Sequence, residues 1–143
     1  MFACAVSTRW QDETVRIDSL PTVLLISVAG AGGALARYGL EQLWPHQAGG
    51  VPWATLAANL SGCLLIGVLS GWLARHRAPA WCRPVLGIGF LGGYTTFSAY
   101  AVQWMTLVVD GRPFLGAVYL LGTLGGAMAA VYLGAALTDR PAS

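Results

Sequence analysis

Residues 84–109 read PVLGIGFLGGYTTFSAYAVQWMTLVV, with no charged side chain between Arg83 and Asp110. An α-helix needs roughly 18 to 20 apolar residues to cross about 30 Å of hydrocarbon, and this run is longer than that. Its middle is unusual for a span. Two adjacent glycines, Gly92 and Gly93, are followed by Tyr94, the pair Thr95 and Thr96, then Phe97 and Ser98. A Gly-Gly step next to hydroxyl side chains is a place where a helix can be interrupted. Carbonyls freed at membrane depth are tolerated only against protein, water or an ion. Several of them aimed at one point make a cation site of oxygen ligands.

The same absence of charge recurs outward from this run. No ionisable group lies between Ser19 and Ala36, and the runs Val51 to Ala74 and Pro113 to Thr138 are uncharged. Four spans are therefore expected, at about 21–44, 51–74, 83–109 and 113–138, giving an all-α membrane protein of 143 residues whose third helix is broken near its middle. Composition agrees: 56% of residues are hydrophobic and 10% charged, against roughly 25% charged in a soluble domain. Connections of Gly, Pro and basic residues are too short to hold a soluble domain.

Residues 1–20 read as a polar, disordered extension, and 139–143 as a short tail. The polar stretch Ser7 to Ser19 ahead of the first apolar run is unlike a cleaved signal peptide. Arg9, Arg16, Asp12, Glu13 and Asp18 nearly cancel, which gives no basic patch for nucleic acid. The odd cysteines Cys4, Cys63 and Cys82 imply no disulfide. His46 and His76 stand isolated in different loops, and no nucleophile and base lie together, so an enzyme is not expected.

Basic residues flanking short loops set orientation. Arg75, Arg77 and Arg83 lie in the second loop, with Arg9, Arg16 and Arg140 in the termini and Arg37 and Arg112 on the opposite side. Both termini and the second loop are thus expected in the cytoplasm. Gly67 and Gly71, Gly89 and Gly93, and Gly122 and Gly126 are each four apart, a spacing that lets helix backbones approach closely within a bundle or dimer.

Polar residues in the spans fall in register. Thr55 and Asn59 share one face of the second span, Tyr119 and Thr123 one face of the fourth. Asn59 serves equally as an interhelical hydrogen-bond partner or as a donor to an anion. Phe97 and Tyr100 share a face of the third span. Such a pair is either packing or, through the positive ring edge, a way to approach a small dehydrated anion.

Three segments together resemble the small fluoride channels of the Fluc or CrcB family. Gly30-Ala31-Gly32-Gly33-Ala34-Leu35-Ala36-Arg37-Tyr38 is similar to the family's glycine-rich first-span stretch. Thr55-Leu56-Ala57-Ala58-Asn59-Leu60-Ser61-Gly62 is similar to the pattern around its membrane-embedded asparagine. Gly89-Phe90-Leu91-Gly92-Gly93-Tyr94-Thr95-Thr96-Phe97-Ser98 is similar to its longest signature. The resemblance implies a passive fluoride-selective channel, multi-pass in the cell membrane, that lets the cytoplasm lose fluoride. It implies an antiparallel dual-topology dimer with two pathways and one structural Na+ at the interface. By position, Gly92 and Thr95 would give backbone carbonyls to that sodium. Thr55, Asn59, Phe97, Ser98, Tyr100, Tyr119 and Thr123 would line the fluoride pathway, with Arg37 near its aqueous entrance.

The chain departs from the family's pattern at Tyr100, where a second phenylalanine is usual. Its arginine bias also favours one insertion, so the expected partner is either a second copy or a homologous, oppositely oriented subunit. A small multidrug exporter would need a carboxylate within the membrane, and Glu41 lies beyond Arg37 near the first helix end. A scaffold subunit would explain the glycines but not Gly-Gly, Thr-Thr and Asn59 together.

Overall fold

A computed structural model describes residues 20–46, 49–76 and 78–138. The expected N-terminal extension and C-terminal tail lie outside them, apart from Leu20, which opens the first helix. The described residues form α1 (Leu20–Leu43), α2 (Trp53–Arg75), α3 (Arg83–Leu91), a single α-turn Gly92–Tyr94, α4 (Phe97–Val109) and α5 (Pro113–Thr138), with no strand among them. The expected four spans are present: α1, α2, the stretch Arg83–Val109 and α5 are each long and apolar enough to cross a membrane. At about 1.5 Å per residue, even α2, with 23 residues, exceeds the roughly 30 Å hydrocarbon layer.

Few residues of these helices are buried, and many large apolar side chains, Leu24, Val28, Leu121 and Leu133 among them, face outward. A soluble protein would not expose such surface, whereas lipid is as apolar as leucine. Trp44 and Trp53 are exposed near one end of the bundle, Trp72 and Trp81 near the other. Indole rings at both ends suit the two membrane interfaces.

Glycine allows the main helix pairs to touch backbone to backbone. A Cβ on Gly67 of α2 would strike the Val131 carbonyl of α5, and one on Gly134 would strike the Leu64 carbonyl in return. Gly33 and Gly93 make the same close approach between α1 and the third span, against the Phe90 and Gly30 carbonyls. Of the three spaced pairs, Gly122 differs, with nothing within 4 Å of its Cβ position.

The third span is irregular along its length. α3 is π-wound over 9 residues, a rare geometry often found at functional sites. Gly92 and Gly93 are helical; extended dihedrals fall instead on Thr95 (φ −84°, ψ 155°) and Thr96 (φ −145°, ψ 126°). The glycines are needed where α1 comes close, and the Thr96 side chain caps α4. Beyond the threonines, Tyr100 and Leu107 of α4 pack on Tyr119 of α5, with Val51, Leu56, Trp104, Leu115 and Leu120 around them.

Candidate functional site

The Thr95 N–H keeps its helical bond to the Leu91 carbonyl at 3.0 Å, but the extended dihedrals turn the Thr96 N–H away from its i−4 carbonyl, and that group needs another partner. Asn59 of α2 supplies it, and reaches the Thr96 carbonyl as well. Its Oδ1 accepts from the Thr96 N–H at 2.8 Å, and its Nδ2 donates to the Thr96 carbonyl at 3.0 Å. The Thr96 hydroxyl accepts in turn from the Ala99 N–H at 3.2 Å, which is the cap on α4.

These bonds say which carbonyls are released. In an unbroken helix the Thr96 N–H would bond the Gly92 carbonyl and the Ala99 N–H the Thr95 carbonyl. Both donors are directed elsewhere. Gly92 and Thr95, the two residues singled out as carbonyl ligands, thereby lose their helical donors. Carbonyl oxygens freed in this way suit a hard cation such as sodium in the chemistry of their donor atoms.

A second polar chain runs between helices. Gln103 of α4 donates from Nε2 to the Thr55 hydroxyl at 2.9 Å, and the Tyr119 hydroxyl donates to Gln103 Oε1 at 2.9 Å. Thr55 and Tyr119 are almost fully buried, at 1% and 4% exposure. Gln103 was not among the sequence-derived candidates. An isolated glutamine in a span looks like any packing contact until its two neighbours are known, although its position on the Phe97 and Tyr100 face, three residues past Tyr100, was a usable signal.

The aromatic rings form a ladder. Phe97 and Tyr100 meet edge to face with centroids 5.4 Å apart, and Tyr100 lies 5.9 Å from Tyr119. Phe97 is 77% exposed while Tyr100 is 6% exposed, so the ladder leads from the outer surface to the buried Gln103 chain. Ser98 is also exposed, its hydroxyl 3.4 Å from that of Thr96. Thr123 is buried but donates at 2.7 Å to the Tyr119 carbonyl of its own helix.

Arg37 pairs with Glu41 at 2.8 Å, and its Nε is buried without a hydrogen-bond partner. It shares a cavity of about 220 Å³ with Glu41, Trp44, His46, Ala99, Thr55 and Gln103. The structure thus joins Arg37 to Thr55, and Thr55 through Gln103 to Tyr119. Asn59 stands one helical turn along α2 from Thr55, clamped to the extended pair.

Residues 24–135 match the family model described as CrcB-like protein, Camphor Resistance (CrcB). The fluoride-specific ion channel FluC 1 of Streptomyces coelicolor is 44% identical over 116 residues, covering 80% of this chain and 75% of the relative. The FluC 2 protein of Nocardia farcinica is 44% identical over 120 residues, covering 80% of this chain and 83% of its own length. The fluoride-specific ion channel FluC of Prosthecochloris aestuarii is 42% identical over 121 residues, covering 84% of this chain and 94% of its own. With a match of this extent across all four spans, the chain belongs to the CrcB-like family.

Proposed function

We propose that the protein is a passive fluoride-selective channel of the cell membrane, through which fluoride leaves the cytoplasm. The observation that carries the reading is the Asn59 clamp on the extended Thr96, next in sequence to the exposed Phe97, in a chain whose relatives are named fluoride-specific channels. Fluoride is strongly hydrated, so a dry route must replace water with hydrogen-bond donors and positive edges. Arg37 gathers anions at the entrance, Thr55 presents its hydroxyl, Tyr119 lines the route with its own hydroxyl proton given to Gln103, and the exposed Phe97 offers its ring edge. Ser98 and Thr123 complete the polar lining. No covalent step and no fuel are needed: export follows the gradient left when neutral acid crosses the membrane and dissociates inside.

We read Thr95 and Thr96 as the break of the third span and the released Gly92 and Thr95 carbonyls as ligands for a structural sodium ion. The ion would add fixed positive charge beside an anion route. One chain offers too few such carbonyls for a closed site, which favours an antiparallel dimer meeting along the third span. The exposure of Phe97 fits a pathway lined from both subunits.

The reading is tested by expressing the chain in a bacterial strain that lacks its own fluoride exporter. Restored growth in fluoride at acidic pH is expected; unchanged sensitivity with the protein present in the membrane would contradict it.

A further inference from the structure

The loop between α1 and α2 holds a second cavity, of about 490 Å³, whose lining includes Trp44, Pro45, His46 and Trp53. Trp44 and His46 also line the Arg37 cavity of about 220 Å³, so the two adjoin at these side chains. His46 is exposed, and an anion moving from water toward Arg37 passes it. The charges that meet the anion there come from three elements. Arg37 and Glu41 of α1 are paired at 2.8 Å, so Glu41 offsets part of the arginine's field. From the turn between α4 and α5, Arg112 donates to the Gly49 carbonyl of the same loop, a cation of fixed charge. The α2 and α4 residues of the cavity, Ala54, Thr55, Ala99 and Gln103, carry no ionisable group. Among the described residues lining either cavity, His46 alone is of a type whose charge changes between pH 5 and 8.

We propose that His46 is an entrance residue that, once protonated, draws small anions to the junction of the two cavities and speeds fluoride flux. The inference deepens the fluoride reading and rests on it. A cleft lined by one sign of charge raises the local concentration of the opposite ion and its rate of encounter. The anion favours the imidazolium over the neutral ring, so the gain is present below the histidine range and is lost as pH rises through it. Trp44 and Trp53 give the outer cavity apolar walls, which focus the field of the added charge. In the orientation expected from the arginines, this loop faces the side opposite the cytoplasm. Acidic surroundings, which load the cell with fluoride, would then switch on the charge that assists its release.

The test is fluoride efflux from phosphatidylcholine liposomes at pH 5.5 and pH 7.5, equal on both sides, for wild type, His46→Gln and His46→Lys. The leak of neutral acid through protein-free liposomes is subtracted at each pH. Wild type should release fluoride about threefold faster at pH 5.5 than at pH 7.5, the factor given by a unit charge roughly 7 Å away in a water-like dielectric. His46→Gln should show a ratio near one. His46→Lys should also show a ratio near one, with efflux about threefold above His46→Gln at pH 7.5. Raising an impermeant salt to about 1 M, where the Debye length is about 3 Å, should bring the wild-type ratio toward one. A wild-type ratio near one at low salt, the same ratio in His46→Gln, or a ratio that survives high salt would each overturn the proposal. A wild type silent at both pH values, alone and with an oppositely oriented homologue, would overturn the fluoride reading itself, and this inference with it.

Discussion

Asn59 carries two roles at one position. Its amide oxygen replaces the helical partner of the Thr96 N–H, and its Nδ2 adds a bond to the Thr96 carbonyl. Asn59→Ala should therefore cost stability as well as flux, about 1–3 kcal/mol for each buried group left unpaired, read as a lowered melting temperature in detergent. Asn59→Asp keeps the bond from the Thr96 N–H but loses the donor to its carbonyl, so it should lower both stability and flux; normal values of both would show that the clamp carries neither. Phe97 makes the contrasting case. Being mostly exposed, its replacement by Ile should leave folding unchanged and abolish fluoride efflux, whereas retained efflux would reduce the ring to packing. The importance of Asn59 was legible in the sequence because an amide in hydrocarbon needs partners. Its partner was not, since Thr96 is 37 residues away and only the fold brings them together.

At the scale of the elements, runs without charge were enough to find four spans, because bilayer thickness leaves little freedom in helix length. Glycine spacing was less informative. It marked residues able to let backbones touch, but not which of them do. Gly67 and Gly134 lock α2 to α5, while Gly122 meets nothing within 4 Å. Gly67→Ala should destabilise the protein by about 1–3 kcal/mol through overpacking against the Val131 carbonyl. Gly122→Ala should leave the thermal stability of the single subunit untouched, and a loss of assembly in that variant would show that another chain covers this face. The π winding of α3 had no signal in composition, because Leu, Val, Ile and Gly are compatible with either winding. The Gly-Gly step drew attention to the middle of the span, but the glycines themselves are helical and the extended dihedrals belong to Thr95 and Thr96.

For the whole molecule, the polar groups form a connected set inside an apolar bundle: the Arg37 cavity, the Thr55–Gln103–Tyr119 chain, the aromatic ladder and the clamped threonines. Such a set is expensive to keep in hydrocarbon, and conduction of an anion is the work that best accounts for it. The arginines at the α2 and α3 ends of the second loop favour one insertion, so pairing with an oppositely oriented homologue is the expected assembly if a single kind of chain proves silent. The most direct measurement is fluoride efflux from liposomes containing the purified protein, alone and with such a homologue, with chloride efflux followed beside it. Rapid release of fluoride with chloride retained is the predicted result. Equal release of both ions, or no fluoride release from well-folded protein in either assembly, would contradict a fluoride-selective channel.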